Sequence, residues 1–165
     1  AVGAVIFTGL AGGLGPGVEV GDVVVARELL QHDLDASPLF PRYEVPLTGR
    51  SRFAAHATWS DRLAAAARAQ GLRVHEGLVI SGDRFVSTAA ESRELATRLP
   101  DALAVEMEGA AVAQVCADFG KPFAVMRTVS DRADDTAHVD FLAFVRDVAS
   151  DSSRRVVVTA VARAS

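Results

Sequence analysis

Ala1-Val2-Gly3-Ala4-Val5-Ile6-Phe7-Thr8, followed at once by Gly9-Leu10-Ala11-Gly12-Gly13-Leu14-Gly15-Pro16-Gly17, is the stretch on which the fold turns. A continuous apolar run that stops at a glycine cluster has the character of a strand buried on both faces, as in a parallel sheet. Central strands seldom open a fold, so the run predicts that part of the architecture precedes it. The glycines let the backbone approach a ligand at the carboxyl end of the sheet; as a bare pattern they favour a tight structural turn. They are not a phosphate loop. No Lys-Ser/Thr pair follows, the spacing misses G-x-G-x-x-G, and Val20-Gly21-Asp22 leads into another strand rather than a helix.

Outward from this run, apolar β-branched stretches alternate with helical patterns, which predicts a single α/β domain over residues 1–165 with helices flanking a mixed central sheet. Strands are expected at Val2–Thr8, Asp22–Ala26, Val74–Ile80, Leu103–Val105 and Phe123–Val129. Thr58 and Asp61 have capping-box spacing for an alanine-rich helix that Gly71 ends, and Thr88 with Glu91 repeats the signal for a second helix stopping near Pro100. A third helix is expected over Glu106–Phe119. Val112, Val115, Cys116 and Phe119 fall at i, i+3, i+4 and i+7, an apolar stripe facing the sheet, and Gly120 and Pro122 end it. Phe141–Ala162 reads as one long or broken closing helix, with Arg146 and Arg154 toward solvent. The stretch Leu29–Arg52, with Pro38, Pro41 and Pro46, reads as a long loop of the kind that usually carries function.

Half of the 165 residues are hydrophobic, enough for a sizeable core, and 21 acids against 17 bases are interspersed, leaving no basic face to track nucleic acid. No span of eighteen apolar residues argues for a membrane segment. The lone Cys116 has no partner for an internal disulfide and fits a reducing cytoplasm; its place on the apolar stripe makes it a core residue.

The candidate chemistry lies in Ala104-Val105-Glu106-Met107-Glu108-Gly109-Ala110 and Val129-Ser130-Asp131. Glu108, in the first turn of a helix, is favoured as a carboxylate by the macrodipole. An ionised carboxylate accepts two hydrogen bonds, which suits a vicinal diol such as that of ribose; an acid that merely favours a helix start is the alternative. Glu106 is either a second ligand-shell residue or the cap. Asp131 ends an apolar strand, where partial burial raises a carboxyl toward the general-acid range, and Ser130 is placed to orient it. Ser81-Gly82-Asp83-Arg84-Phe85-Val86 also follows a strand, where an aromatic can form a wall for a planar ligand; a buried core Phe is the commoner explanation of the pattern alone. His32, Asp33, Asp35 and the run Ser130–His138 superficially resemble metal loops but lack the calcium-loop glycine and terminal Glu, so no metal or cofactor is expected.

Taken in order, Thr8-Gly9-Leu10-Ala11-Gly12-Gly13, Gly21-Asp22-Val23-Val24-Val25, His32-Asp33-Leu34-Asp35, Ile80-Ser81-Gly82-Asp83-Arg84-Phe85, Val105-Glu106-Met107-Glu108 and Val129-Ser130-Asp131 resemble the signatures of bacterial 5'-methylthioadenosine/S-adenosylhomocysteine nucleosidases, of the nucleoside phosphorylase superfamily. The resemblance implies hydrolysis of the N-glycosidic bond of an adenine thionucleoside. By motif, Asp131 protonates adenine at N7, Glu108 holds the ribose hydroxyls and Met107 packs on the sugar. Phe85 stacks on adenine while the Val86 backbone reads its edge. Ala11 and Gly12 lie beside the ribose and the attacking water, with Glu106 and Ser130 completing the binding shell. Phe40, Tyr43 and Leu47 resemble the segment that lines the 5'-alkylthio pocket across a homodimer interface.

The sequence departs from the family pattern in two places. The family's opening portion, which carries the glutamate that activates water, has no counterpart here, so the expected fold is nucleoside phosphorylase-like and truncated at its N-terminus. Leu10 stands where some members have a small hydroxyl residue. A phosphorylase is the nearest rival; members of that kind often carry an Arg before the Gly9 turn, and Val5-Ile6-Phe7-Thr8 has none. Arg127 is, by motif, on the wrong strand to hold phosphate, and a structural ion pair is expected for it. A non-catalytic nucleoside-binding fragment is the rival from another class.

Overall fold

A computed structural model describes residues 2–138, 141, 144 and 149–162. Six strands, β1 (Val5–Gly13), β2 (Val23–Gln31), β3 (Arg52–Ala54), β4 (Val74–Ser81), β5 (Ala102–Glu106) and β6 (Phe123–Asp131), form one sheet in the order β3-β2-β4-β5-β1-β6. The helices are α1 (Ala57–Ala69), α2 (Ala89–Arg98), α3 (Gly109–Asp118) and α4 (Ala149–Ala162). β1 runs parallel to β6, and β2 and β5 run parallel to β4. Antiparallel pairings of β1 with β5 and of β2 with β6 turn the sheet back on itself, so it is mixed as expected.

The first strand is longer than its apolar run. It passes through Gly9 and Gly12 to Gly13, pairing with β6 as far as Gly12 opposite Asp131, where the register shifts by one residue. The glycines therefore continue the strand, and the expected turn or loop begins only after them. β2 likewise extends to Gln31 into the segment read as a loop, and β3 is an added short strand.

Two helix starts differ from expectation. α1 begins at Ala57 with His56 at the N-cap and no side-chain cap; the His56 N–H is spent on the Phe123 carbonyl at 2.8 Å, so the sheet fixes the entry. Asp61 faces Arg27 at 2.6 Å instead of closing a box with Thr58. α2 does use Thr88, whose hydroxyl accepts the Glu91 N–H at 3.2 Å. α3 starts at Gly109, with Glu108 at the N-cap and Glu106 still in β5.

The apolar stripe of α3 is also displaced. Gly109, Ala110, Ala113 and Cys116 are buried, whereas Val115 and Phe119 are 57% and 74% exposed. Small residues let the helix lie close to the sheet, and Gly109 has no room for a Cβ between Leu29 and the Glu106 carboxylate. Cys116 is core, and burial pushes its thiol up from the ordinary range. On the opposite face α1 and α4 cover Val23, Val25, Ala124 and Met126. Arg154 on α4 is exposed, while Arg146 lies outside the described residues.

Candidate active site

Burial of β6 along its whole length carries Asp131 to the carboxyl end of the sheet, where it is 1% exposed. One carboxylate oxygen accepts the Ala133 N–H at 2.8 Å and the other accepts the Ser130 hydroxyl at 2.8 Å. Gly12 lies opposite in β1. A Cβ there would stand 2.8 Å from the Ala133 Cβ and 2.9 Å from Asp131 Oδ1, so the acid can lie against the neighbouring strand only because that position has no side chain.

β5 and the turn into α3 supply the facing wall. The Glu106 side chain, 2% exposed, has both oxygens engaged: Gly109 N–H donates at 3.0 and 2.9 Å, Glu108 N–H at 3.3 Å, and the Ser81 hydroxyl and Arg127 guanidinium complete the set. Glu106 thus caps α3 from inside the protein, one of the two alternatives the sequence left open. Arg127 is itself 1% exposed, stacks over the Phe7 ring with its guanidinium carbon 4.3 Å from the centroid, and reaches Glu108 at 3.5 Å. The buried ion pair read for Arg127 is present. Removing one partner of such a pair leaves an uncompensated charge, a cost of roughly 3–5 kcal/mol. With the helix capped by Glu106, the Glu108 carboxylate is released from capping and its side chain stays 62% exposed.

These elements enclose a cleft of about 280 Å³. It brings together Ala11 and Gly12 from β1, Phe85 and Val86 after β4, Glu106, Met107 and Glu108 at the β5–α3 turn, and Ser130 and Asp131 on β6. Phe85 is 40% exposed and meets Phe141 edge-on, with centroids 5.8 Å apart and planes at 68°, so it is a wall and not a core residue. Leu10, Arg84, Val105 and Phe141 also line the cleft and were not read as site residues. Phe141 carries no local motif. Arg84, paired with Glu91 at 2.7 Å, precedes Phe85 in the segment after β4, where its charge alone does not distinguish it from a solvated surface residue. Phe40, Tyr43 and Leu47 are not among the lining residues; Tyr43 packs on the core beside α2 and Leu47 is 90% exposed.

The acids that resembled metal loops make loop hydrogen bonds. Asp33 accepts the Asp83 N–H at 2.7 Å, Asp134 accepts from Thr136, and Asp135 accepts the Ala89 N–H at 3.1 Å. His32 lies over Gly82, leaving no space for a side chain there, and burial lowers its pKa below the ordinary imidazole value.

A closed mixed sheet that gathers a buried acid, an exposed carboxylate and an aromatic wall at its carboxyl end defines a class: the chain belongs to the phosphorylase superfamily, whose family model it matches over residues 1–162. Within that superfamily its likeness is to nucleosidases. It is 39% identical over 155 residues to the 5'-methylthioadenosine/S-adenosylhomocysteine nucleosidase of Geobacillus kaustophilus, covering 93% of this chain and 66% of that relative. The crystal structure of the corresponding Neisseria meningitidis nucleosidase in complex with methylthio-immucillin-A matches 97% of this chain and 69% of its own, with a TM-score of 0.90 and 40% identity. Futalosine hydrolase of Helicobacter pylori matches 98% of this chain and 69% of its own, with a TM-score of 0.89 and 34% identity. The chain spans about two thirds of the length of the curated relatives it matches.

Proposed function

We propose that the protein hydrolyses the N-glycosidic bond of 5'-methylthioadenosine and S-adenosylhomocysteine, releasing adenine and the thioribose product. The observation that carries this reading is the pairing, across one cleft, of a buried carboxyl held on both oxygens with an exposed carboxylate beside an apolar side chain. Asp131 is the general acid that protonates N7 of adenine and so improves the leaving group. Glu108 accepts the ribose hydroxyls, and its charge favours the oxocarbenium-like sugar that forms as the bond lengthens. Met107 packs on the sugar, Phe85 on the base, and the Val86 backbone reads the base edge.

The water that completes the reaction needs a base. Glu106, saturated by protein donors, is not available for that role. Hydrolysis is favoured over phosphorolysis because Arg84, on the cleft lining, is paired with Glu91, and Arg127 behind it is opposed by Glu106 and Glu108. The protein acts as a homodimer in the cytoplasm on this reading. Support comes from the exposed apolar side chains of Leu39 and Leu47 on the long loop and of Val115 and Phe119 on α3, and from the lone buried cysteine.

The test is adenine release from 5'-methylthioadenosine with and without phosphate. Release independent of phosphate, yielding free thioribose, is expected. A requirement for phosphate would make the protein a phosphorylase, and saturable binding without release would make it a nucleoside-binding module. Release from futalosine but not from the thionucleoside would move the substrate to another 5'-modified purine nucleoside.

A further inference from the structure

α2 has no fully buried residue, and its apolar hold on the core is the partly buried Leu95. Polar contacts hold it as well. The Ser92 hydroxyl donates to the carbonyl of Ala133, the Ala89 N–H donates to Asp135 at 3.1 Å, and Glu91 pairs with Arg84 at 2.7 Å. Two of these contacts fall on the segment that immediately follows Asp131.

Ala133 is the key to that segment. It is fully buried and has φ +50°, a left-handed conformation that an L-residue keeps only when its surroundings over-determine it. One side of the residue donates its N–H to Asp131 Oδ1 at 2.8 Å; the other side offers its carbonyl to Ser92. The orientation of the acid is therefore separated from the α2 hydroxyl by a single residue.

We propose that Ser92 is a positioning residue for Asp131: by holding the Ala133 carbonyl it locks the left-handed turn that aims the Ala133 N–H at the acid, and α2 serves as the brace. The inference rests on the reading of Asp131 as the general acid. No charged side chain faces Asp131 from the lining portion of β1, where Ala11 and Gly12 stand. The β5–α3 turn presents Glu106, neutralised by Arg127, and Glu108; the β4–α2 connection presents Arg84, paired with Glu91. On its own loop stand Arg132, bridged to Glu19 at 2.6 Å, Asp134 and Asp135. Replacing Ser92 leaves all of these in place and changes only the hydrogen bond to Ala133.

The experiment compares the full chain with Ser92→Ala, Ser92→Thr and Asp135→Asn. Three readouts are taken: hydrogen exchange of the Ala133 amide, titration of the Asp131 carboxyl by carbon NMR, and kcat and KM for adenine release. In Ser92→Ala the Ala133 amide should exchange at least about tenfold faster, since its protection depends on a closed turn. The Asp131 carboxyl, with its ionised form losing a donor, should titrate at higher pH. kcat should fall by roughly tenfold, with KM within about twofold, as expected when a reacting group is misplaced rather than removed. Ser92→Thr, which keeps the hydroxyl, should restore all three, and Asp135→Asn should leave Ala133 exchange and the Asp131 titration near wild type. Unchanged exchange and titration in Ser92→Ala would overturn the proposal. So would an Asp135→Asn variant that reproduces the effect, since the turn would then depend on the Asp135 contact rather than on the Ser92 hydroxyl. Exchange and titration decide the role of Ser92 whatever the turnover, and a chain that neither binds nor turns over the thionucleoside contradicts the functional reading.

Discussion

Glu106 and Glu108 are two residues apart and have opposite duties. The first is sealed inside with Arg127 and three backbone or hydroxyl donors; the second is left open to the cleft because the first has taken over the helix cap. Sequence pattern places both at the helix mouth but does not rank them, because the ranking depends on whether β5 ends before or after Glu106. A lone Arg in the otherwise apolar strand Phe123–Val129 signals a buried partner, and the partner proves to be Glu106. Glu108→Gln keeps the size of the side chain and removes its charge at a position 62% exposed, so folding should be unaffected. Hydrogen bonds to a charged acceptor contribute about 1.5–3 kcal/mol, so kcat/KM for 5'-methylthioadenosine should fall roughly 10- to 100-fold. A variant within twofold of wild type would remove Glu108 from ribose recognition.

At the scale of elements, β1 and α3 carry the lesson about legibility. Continuous apolar runs announced the five main strands, and the thionucleosidase-like motifs identified the residues that the structure gathers in one cleft. The glycines after Thr8 were harder to read: a glycine cluster suggests a turn, yet here the strand continues because Arg127 and Asp131 occupy the space of the missing side chains. α3 misled in the opposite direction. Its large apolar residues suggested the buried face, but close approach to the sheet selects Ala110 and Ala113 and leaves Val115 and Phe119 outside. Phe141 reaches the cleft by chain path alone, which no local pattern reports. Gly12→Ala tests the strand reading. Its Cβ meets Ala133 and Asp131 at under 3 Å, and overpacking of this kind costs about 1–3 kcal/mol. The melting temperature should drop by several degrees and adenine release should fall, whereas Gly3→Ala, with nothing within 4 Å, should be neutral. Equal behaviour of the two variants would contradict the close packing of β1 on the acid.

For the whole molecule, the closed sheet places the cleft residues at one end, and stability is linked to pH through His32. Burial lowers the pKa of His32, so the unfolded chain takes up a proton that the folded chain resists. The corresponding stability is fully present above the free imidazole value of about 6.5 and is lost as pH falls toward the folded value. Thermal midpoints should therefore decline between about pH 7 and pH 5, and His32→Gln should flatten that decline. Asp35, Asp101, Asp134 and Glu76, held below the ordinary carboxylate range by their hydrogen-bond and arginine partners, act in a separate window near and below pH 4. An unchanged slope in His32→Gln would assign the decline to other groups.

The most direct test of a hydrolase built around a buried acid is Asp131→Asn, with binding and turnover of 5'-methylthioadenosine measured on the same preparation. The amide keeps the shape and accepts the Ala133 N–H but has no carboxyl proton to give. The expected result is a dissociation constant within about threefold of wild type and adenine release reduced by roughly 10²- to 10⁴-fold, the range general acid catalysis supplies. Release that persists within tenfold of wild type would mean that Asp131 is not the proton donor.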